Sequence, residues 1–429
     1  MMRTNELIEK IEAGDFDKNF FKLYNDNIEY VRSRYIKTIN SFTSIYGEDD
    51  VLLFSVPGRS EISGNHTDHN HGKVIAAAID LDIIAVVAKR DSDIIRITSE
   101  GYKEDYVIAA CLSSNKFKKG TSTALTAGMC AFFKQKGYKY GGFDAFTTSQ
   151  VLTGSGLSSS AAFEVMVGNI FNFLYNDGAV SAVEIAKIAQ QSENVYFGKP
   201  CGLMDQTACA VGGFVAIDFK DPEEPIVVKI DKSLSDYGYT LCITNTGGNH
   251  ADLTDDYASV PKEMKVIAEH FGKAVLRDID EKEFYLHIPE LRKAYGDRAV
   301  LRTIHFFNEN KRVSMQISAL DLGDIDTFLA LATSSGDSSF KYLQNVYTTK
   351  NLSEQGLSLA LALSEGYKCR VHGGGFAGTI QAFVPREKVN EYKSKIDGVF
   401  GKGSCSVLSV RNYGAIMLSE SGISVPPTE

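Results

Sequence analysis

The hydrophobic pattern changes at Val51. Before it, residues near 4–45 are polar and poor in glycine, which predicts helix. After it come short β-branched and aromatic runs, "VLLFSV", "VIAAAIDLDIIAVVA", "DIIRITS" and "DYVIAA", which predict strands. A helix is expected near 121–137 and a strand near 142–152. In "TGSGLSSSAAFEVMVGNIFNFLYNDG", Ala162, Val165, Met166, Ile170, Phe173 and Leu174 recur at three- and four-residue spacing, the mark of one apolar helix face. Ser181 and Glu184 form a capping-box pattern for a further helix reaching about Tyr196, stopped by Gly198 and Pro200. Strands are expected near 214–219, 226–230 and 239–245, and helices near 252–272, 289–309, 312–334 and 352–364. The end returns to β-α-β, with a helix from about residue 386. Strands and helices mix without strict βαβ alternation, so the expected class is α+β. The acidic stretch "DFKDPEEP" (218–225) is the expected lobe boundary.

Composition narrows the function classes. The chain has 429 residues, enough for two or three lobes, with 44% hydrophobic and 23% charged residues. A net charge of −9 argues against general nucleic-acid binding, though small phosphorylated ligands need only a local positive field. Seven widely spaced cysteines without a CxxC pair argue against a disulfide framework and a structural zinc site. The first twenty residues lack the apolar core of a signal peptide, and no apolar run is long enough to span a bilayer. The expectation is a soluble, cytoplasmic protein with no membrane or nucleic-acid partner.

Four stretches carry chemistry. In "TGSGLSSSAA", glycines precede serines at a helix N-terminus, where free N–H groups and the helix dipole favour an anion; an ordinary capped turn reads equally well. It is not a Walker loop, because no Lys-Ser/Thr follows the glycines. "ENVYFGKPCGLMDQ" returns Asp205 toward Glu193 beyond a Gly/Pro turn, so that one carboxylate can hold a cation while the other takes a proton. "RVHGGGFAGT" allows close backbone approach at Gly373–Gly375. The fourth, "GNHTDHNHG", gathers His66, Asp68, His69 and His71. A zinc site needs three of these to converge, but Arg59 nearby is a poor companion for a dication and a good one for phosphate. Asn, His and Asp also suit a polyol.

In this order, "PGRSEISGNHTDHNHGKV", "GSGLSSSAA", "CGLMDQ" and "VHGGGFAGT" resemble the galactokinases of the GHMP small-molecule kinase family, from about Val51 to the last strand. The resemblance implies a two-lobed GHMP kinase fold with the active site in the cleft. A helical segment 1–45 would precede a ribosomal-protein-S5-like N-terminal domain (46–220) and a C-terminal α/β sandwich domain (221–429). It implies ATP with its phosphates on Thr153, Gly154, Ser155, Gly156, Leu157, Ser158, Ser159, Ser160 and Ala161, and Mg²⁺ held by Ser159 and Glu193. Asp205 would take the proton of the sugar's C1 hydroxyl, and Arg59 would hold Asp205 ionised and neutralise the transferring phosphoryl group. Glu61, Asn65, His66, Asp68, Gly202 and Tyr257 would bind galactose.

The chain departs from the family pattern G-R-V-N-L-I-G-E-H-T-D-Y: Glu61 stands at the asparagine and Asn65 at the glutamate. The resemblance gives that glutamate the sugar's C6 hydroxyl, so the exchange leaves open a C6-altered substrate such as galacturonate, a 6-deoxy sugar or the pentose arabinose; N-acetylgalactosamine, altered at C2 instead, is a further alternative. Other readings are a non-catalytic galactose/ATP sensor, a metal protein built on "HTDHNH", and a GHMP kinase for mevalonate or homoserine. The intact "GLSSSAA" loop, the retained Asp205, and the His66/Asp68 pair weigh against them.

Overall fold

The computed structural model describes residues 1–24, 27–151, 156–248 and 253–429. Strand β1 (Met2–Arg3) and helices α1 (Thr4–Ala13), α2 (Asp17–Tyr24) and α3 (Ile28–Tyr46) open the chain. Then come β2 (Asp50–Ser63), β3 (Lys73–Lys89), β4 (Ile94–Ser99), β5 (Asp105–Ile108), α4 (Ser122–Gln135) and β6 (Phe143–Ser149). Next are α5 (Ser159–Tyr175), α6 (Ala182–Ser192), α7 (Met204–Val211), β7 (Phe214–Asp218), β8 (Ile226–Ile230) and β9 (Tyr239–Asn245). Helices α8 (Thr254–His270), α9 (Glu281–Tyr295), α10 (Asp297–Leu322), α11 (Ile325–Ser338) and α12 (Gly356–Leu363) follow. The chain closes with β10 (Lys368–His372), β11 (Thr379–Pro385), α13 (Val389–Phe400), β12 (Cys405–Leu408), β13 (Ile416–Ser419) and β14 (Gly422–Ser424).

Contacts divide the chain into two units, residues 1–59, 78–213 and 411–429, and residues 60–77 and 214–410. A linear division at residue 220 misses two of these exchanges. Residues 60–77, the end of β2, the turn after it and the start of β3, belong with the second unit, and the last strands belong with the first. The stretch 218–225 is the loop of the β7–β8 hairpin, in which Asp218 pairs with Ile226, and so is not a lobe boundary.

In the first unit the strand order is β14-β13-β2-β3-β6-β4-β5, with β1 beside β2. The β4–β6 pair is parallel. Helices α1–α3 pack Leu7, Ile11, Phe20, Tyr35, Ile39 and Phe42 into one core with Leu53, Ile84 and Val86 of the sheet. That gives residues 1–45 a role the sequence does not reveal. They also complete a buried ion network, where Asp82 accepts from Tyr24 at 2.7 Å, Arg34 at 2.6 Å and Arg411 at 3.1 Å. The expected single apolar face of α5 is a narrower picture than the one observed. Glu164, Val167, Asn169, Phe171 and Asn172 are buried too, as in a helix enclosed on several sides. The expected capping bond forms, from Glu184 N to Ser181 Oγ at 3.1 Å.

In the second unit, Lys73–Ala77 of β3 pair with β7, and a separate antiparallel sheet has the order β10-β11-β9-β12. Helices α8–α10 share a core of Val260, Met264, Ile267, Phe284, Leu291 and Phe306. The helices expected at 289–309 and 312–334 are α9, α10 and α11, with breaks near Gly296 and Gly323. Pro289 lies inside α9 rather than at a helix start. Among the described residues, no helix is long and apolar enough to cross a membrane.

Candidate active site

The first unit brings together the residues expected to handle phosphate. β2 continues through Pro57, Gly58 and Arg59, where the sequence suggests that a strand has already ended. Pro57 lies beyond Leu53–Ser55, the residues paired with β13, so its missing N–H breaks no bond to that strand. Gly58 is needed for close approach: a Cβ there would lie 2.8 Å from the Leu157 carbonyl oxygen. The Arg59 N–H donates to that same carbonyl at 3.1 Å.

Arg59 then meets Asp205, in the first turn of α7, through two parallel bonds, Nε to Oδ1 and Nη2 to Oδ2, both 2.7 Å. Its Nη1 donates to the Gly156 carbonyl at 2.5 Å. Ser158, the residue before α5, adopts a left-handed φ of 61° and donates its hydroxyl to Asp205 Oδ2. Left-handed backbone at a non-glycine residue costs on the order of 1 kcal/mol, and the charge-assisted bond opposes that cost. Burial pushes the Asp205 carboxyl up, but Arg59's charge and hydrogen bonds, the Ser158 hydroxyl and Lys199 hold it below the usual carboxylate range. The Asp205 side chain is nevertheless 31% exposed, so a paired carboxylate stays accessible.

Glu193 lies where α6 gives way to a single π-helical turn, Glu193–Phe197. Such turns occur often at functional sites. Its carboxylate accepts from Ser160 at 3.0 Å, Lys199 at 3.2 Å and Gln206 at 2.8 Å. The serine hydrogen-bonded to Glu193 is Ser160, and Ser159, expected to share Mg²⁺ with Glu193, is the neighbouring first residue of α5. A carboxylate and a hydroxyl at one spot are the hard oxygen donors Mg²⁺ takes, with water and phosphate oxygens completing its shell. Of the expected phosphate loop, Gly156, Leu157, Ser158, Ser159, Ser160 and Ala161 lie here. Thr153, Gly154 and Ser155 fall outside the described residues. Gly202 lies between the π turn and α7.

Glu164, Lys199 and Gln206 escaped the sequence reading. Burial, then the Glu193 charge, raises the Glu164 carboxyl well above its ordinary range, and Gln206 Nε2 spans the two carboxylates at 3.3 and 2.8 Å. A glutamate inside the apolar run "AAFEVMV" was the available signal. Burial also pushes the Cys201 thiol up, so it stays protonated and unreactive near neutral pH.

The second unit holds the expected sugar residues other than Gly202. Asn65 Nδ2 donates to Glu61 Oε1 at 2.9 Å and to the Gly373 carbonyl at 2.7 Å. Its Oδ1 accepts from Asn345 at 2.7 Å and Ser339 at 3.4 Å. Glu61 also accepts from Arg370 at 3.2 Å. Both halves of the Asn65 amide are thus bonded to protein. His66, with φ 58°, donates Nε2–H to the Gly374 carbonyl at 2.9 Å. Desolvation lowers its pKa to about 4, so the ring is neutral near pH 7. Tyr257 donates to the Gly375 carbonyl at 2.9 Å. Asp68 has a side chain 19% exposed, with His69 Nε2 3.6 Å from its Oδ1. Among the described residues, no three His, Cys, Asp or Glu side chains are grouped as metal ligands, and His66 and His69 go to separate partners.

Beneath this turn, Glu309 of α10 accepts from Ser63 Oγ at 3.1 Å and from Gly64 N at 3.0 Å, and it pairs with Arg312. Burial raises the Glu309 carboxyl, but His305, Arg312 and Arg370 outweigh that and bring it down to about 2. His305 Nε2–H donates to the Asn65 carbonyl at 2.9 Å. No spacing in the sequence announced these supports.

Comparison with known proteins identifies the lineage. Residues 122–213 match the GHMP kinases N terminal domain, and residues 40–89 match the galactokinase galactose-binding signature. A galactokinase of Actinobacillus pleuropneumoniae serotype 3 (strain JL03) is 30% identical over 358 residues, 82% of this chain and 90% of the relative. One from Glaesserella parasuis serovar 5 (strain SH0165) is 31% identical over 363 residues, 83% and 91% of the two chains. The fold matches Lactococcus lactis galactokinase complexed with galactose, with a TM-score of 0.75 at 22% identity, covering 89% of this chain and 99% of that one. It also matches Methanococcus jannaschii mevalonate kinase, with a TM-score of 0.58 at 16% identity over 86% and 99%. On this evidence the chain has the GHMP kinase fold and belongs to the galactokinase family.

Proposed function

We propose that this protein, an ATP-dependent sugar kinase, transfers the γ-phosphoryl group of ATP to the C1 hydroxyl of galactose, giving galactose 1-phosphate and ADP. The observation that carries the reading is the bidentate Arg59–Asp205 pair, with Ser158 on the same accessible carboxylate at the head of α5. Asp205 takes the C1 hydroxyl proton as the sugar oxygen bonds to phosphorus. A positioned base contributes roughly 10² to 10⁴ in rate. Arg59 keeps that carboxylate ionised and offsets charge on the transferring group. The phosphates rest on Thr153–Ala161, where the N-terminus of α5 favours anions. Glu193 with Ser159, and Ser160 beside them, would hold Mg²⁺, which when bound would neutralise phosphate charge. His66 and Asp68 take ring hydroxyls, with Glu61, Asn65, Tyr257 and Gly202 as the further sugar-binding residues. The enzyme works in the cytoplasm, where ATP is available.

The decisive experiment is coupled ADP release with Mg-ATP against galactose, 2-deoxygalactose, N-acetylgalactosamine, galacturonate, fucose, arabinose, glucose and mannose. Galactose as best substrate upholds the reading. One observation favours a second reading, a sugar altered at C6: position 65 carries no carboxylate, and its amide is bonded to Glu61, Gly373 and Asn345. A win for galacturonate, fucose or arabinose selects it. No turnover, with galactose still raising the melting temperature, selects a sensor.

A further inference from the structure

We propose that Asn345 is a positioning residue for sugar recognition, fixing the turn Gly373–Gly375 against Asn65 and His66. The proposal rests on the reading of His66 and its neighbours as the sugar site.

The turn is an unusual stretch of backbone. Gly373, Gly375 and Phe376 all have left-handed φ values, 67°, 79° and 59°. Its three glycine carbonyls accept from side chains: Gly373 from Asn65, Gly374 from both His66 and Asn345, and Gly375 from Tyr257. A Cβ at Gly374 would lie 2.7 Å from the Tyr257 ring, and one at Gly375 would lie 2.0 Å from the Asn345 carbonyl oxygen. That carbonyl in turn accepts the Phe376 N–H at 2.5 Å. Asn345 thus holds the turn through backbone and side chain together.

A chain of hydrogen bonds fixes its direction. Arg370 fixes Glu61 as a charged acceptor, with Nη2 3.2 Å from Oε1. Glu61 therefore faces the donor end of the Asn65 amide, which leaves the Asn65 oxygen facing Asn345. Asn345 must then present Nδ2, which it donates to Asn65 Oδ1 at 2.7 Å and to the Gly374 carbonyl at 3.1 Å. Flipping its amide would set oxygen against two oxygens. The orientation has a cost, because Asn345 Oδ1 is buried without a hydrogen-bond partner. An apolar side chain would carry no such orphan, but neither could it hold Gly374 or Asn65. The two carbonyls that Asn345 secures flank His66, whose ring bonds to the same Gly374 carbonyl.

The test compares Asn345→Ala with Asn345→Asp. Alanine deletes the donor, whereas aspartate, nearly isosteric, sets a carboxylate against the two oxygens. Each variant is measured for galactose KM, ATP KM, kcat and the rise in melting temperature on adding galactose. Expected are a galactose KM up at least tenfold for Asn345→Asp and several-fold for Asn345→Ala, an ATP KM within threefold of wild type, and a smaller galactose-induced shift. If the aspartate variant does not fold, Asn345→Ser, with one short donor, is read in its place for an intermediate rise. A galactose KM within twofold of wild type overturns the proposal, as does an ATP KM rising as far as the sugar's. If wild type itself turns over no sugar, the functional reading fails and the proposal goes with it. A working wild type beside indifferent variants removes the proposal alone.

Discussion

Arg59 and Glu61 are two residues apart on β2, and each belongs to an arginine–carboxylate pair, yet the pairs are unlike. In Arg59–Asp205 the carboxylate side chain is 31% exposed, while in Glu61–Arg370 the two side chains are 8% and 0% exposed. The first pair leaves an ionised carboxylate partly exposed, as the proposed role of Asp205 as base requires. The second is sealed, and it serves to orient Asn65 through Glu61. Breaking a buried pair strands a charge, whereas breaking an accessible one mainly removes its chemistry. Accessibility, and not the type of ion pair, separates a reactive carboxylate from a structural one.

The sharpest way to break this comparison is Asp205→Asn. The near-isosteric amide should leave the protein folded and lower kcat by at least about 100-fold, the lower end of general-base catalysis. Steady-state kinetics beside a circular-dichroism melt checks both halves. Activity within tenfold of wild type rejects Asp205 as the base and removes the contrast.

Glu61→Gln should act the other way round. It removes the charge paired directly with Arg370, which keeps the more distant Glu309 and the Ile62 carbonyl, and urea unfolding should show a loss of about 3 kcal/mol, the low end for breaking a buried pair. The kcat of the folded fraction should stay within severalfold. A stability loss below about 1 kcal/mol, the scale of a surface bridge, would show that the second pair is not sealed in solution.

Smaller still is Asn65→Glu. The new carboxylate would face Glu61 and lose the donor to Gly373. Sugar KM should rise roughly tenfold, about 1.4 kcal/mol, with ATP KM unchanged. Adding Glu61→Asn should recover much of the loss, because the repulsion goes and a donor returns. A change confined to ATP KM would mean that the sugar residues have been misassigned.

These cases also show what the sequence could and could not reveal. Local order was legible. Strand alternation, the glycine-serine approach to α5 and the Ser181 cap are properties of short stretches, and Arg59 and Asp205 sit in recognisable motifs. The unit boundaries were not legible, because residues 60–77 and 411–429 exchange places through long-range packing that no local pattern encodes. The hydrogen bond from Ser160 to Glu193 was not legible, because one position is about 100° around a helix and spacing alone does not settle which serine faces the carboxylate. Helix ends near Pro289 were misplaced because proline reads as a boundary, although Pro289 is inside α9. Asn345, Glu309 and His305 reach the sugar motif from 240 or more residues away in sequence. Their types, an imidazole and a carboxylate within α10 and an amide outside any helix, carry no signature.

The two regions should also separate along the pH axis. His66 is held neutral, its pKa lowered by desolvation from 6.5 to about 4. Between those values the unfolded chain binds a proton that the native state refuses, so the native state is favoured less as pH falls. Its contribution is therefore full above about pH 6.5 and is lost progressively toward pH 4. Asp205 is held below the ordinary carboxylate range, so its contribution is present above about pH 4 and is lost only below that. Mild acid should thus weaken the second unit's histidine before it touches the first unit's base. Urea unfolding of wild type and His66→Gln at pH 7.5, 6.0, 5.0 and 4.5 reads this directly. Glutamine can still donate to Gly374 but cannot titrate, so the variant should lose less stability than wild type between pH 6.5 and 4.5. His305 and the carboxylates titrate alike in both proteins, so they cancel from the difference and leave the His66 contribution. Parallel slopes would show that His66 is protonated as readily in the folded chain as in the unfolded one, and its neutral, desolvated setting would then have to be abandoned.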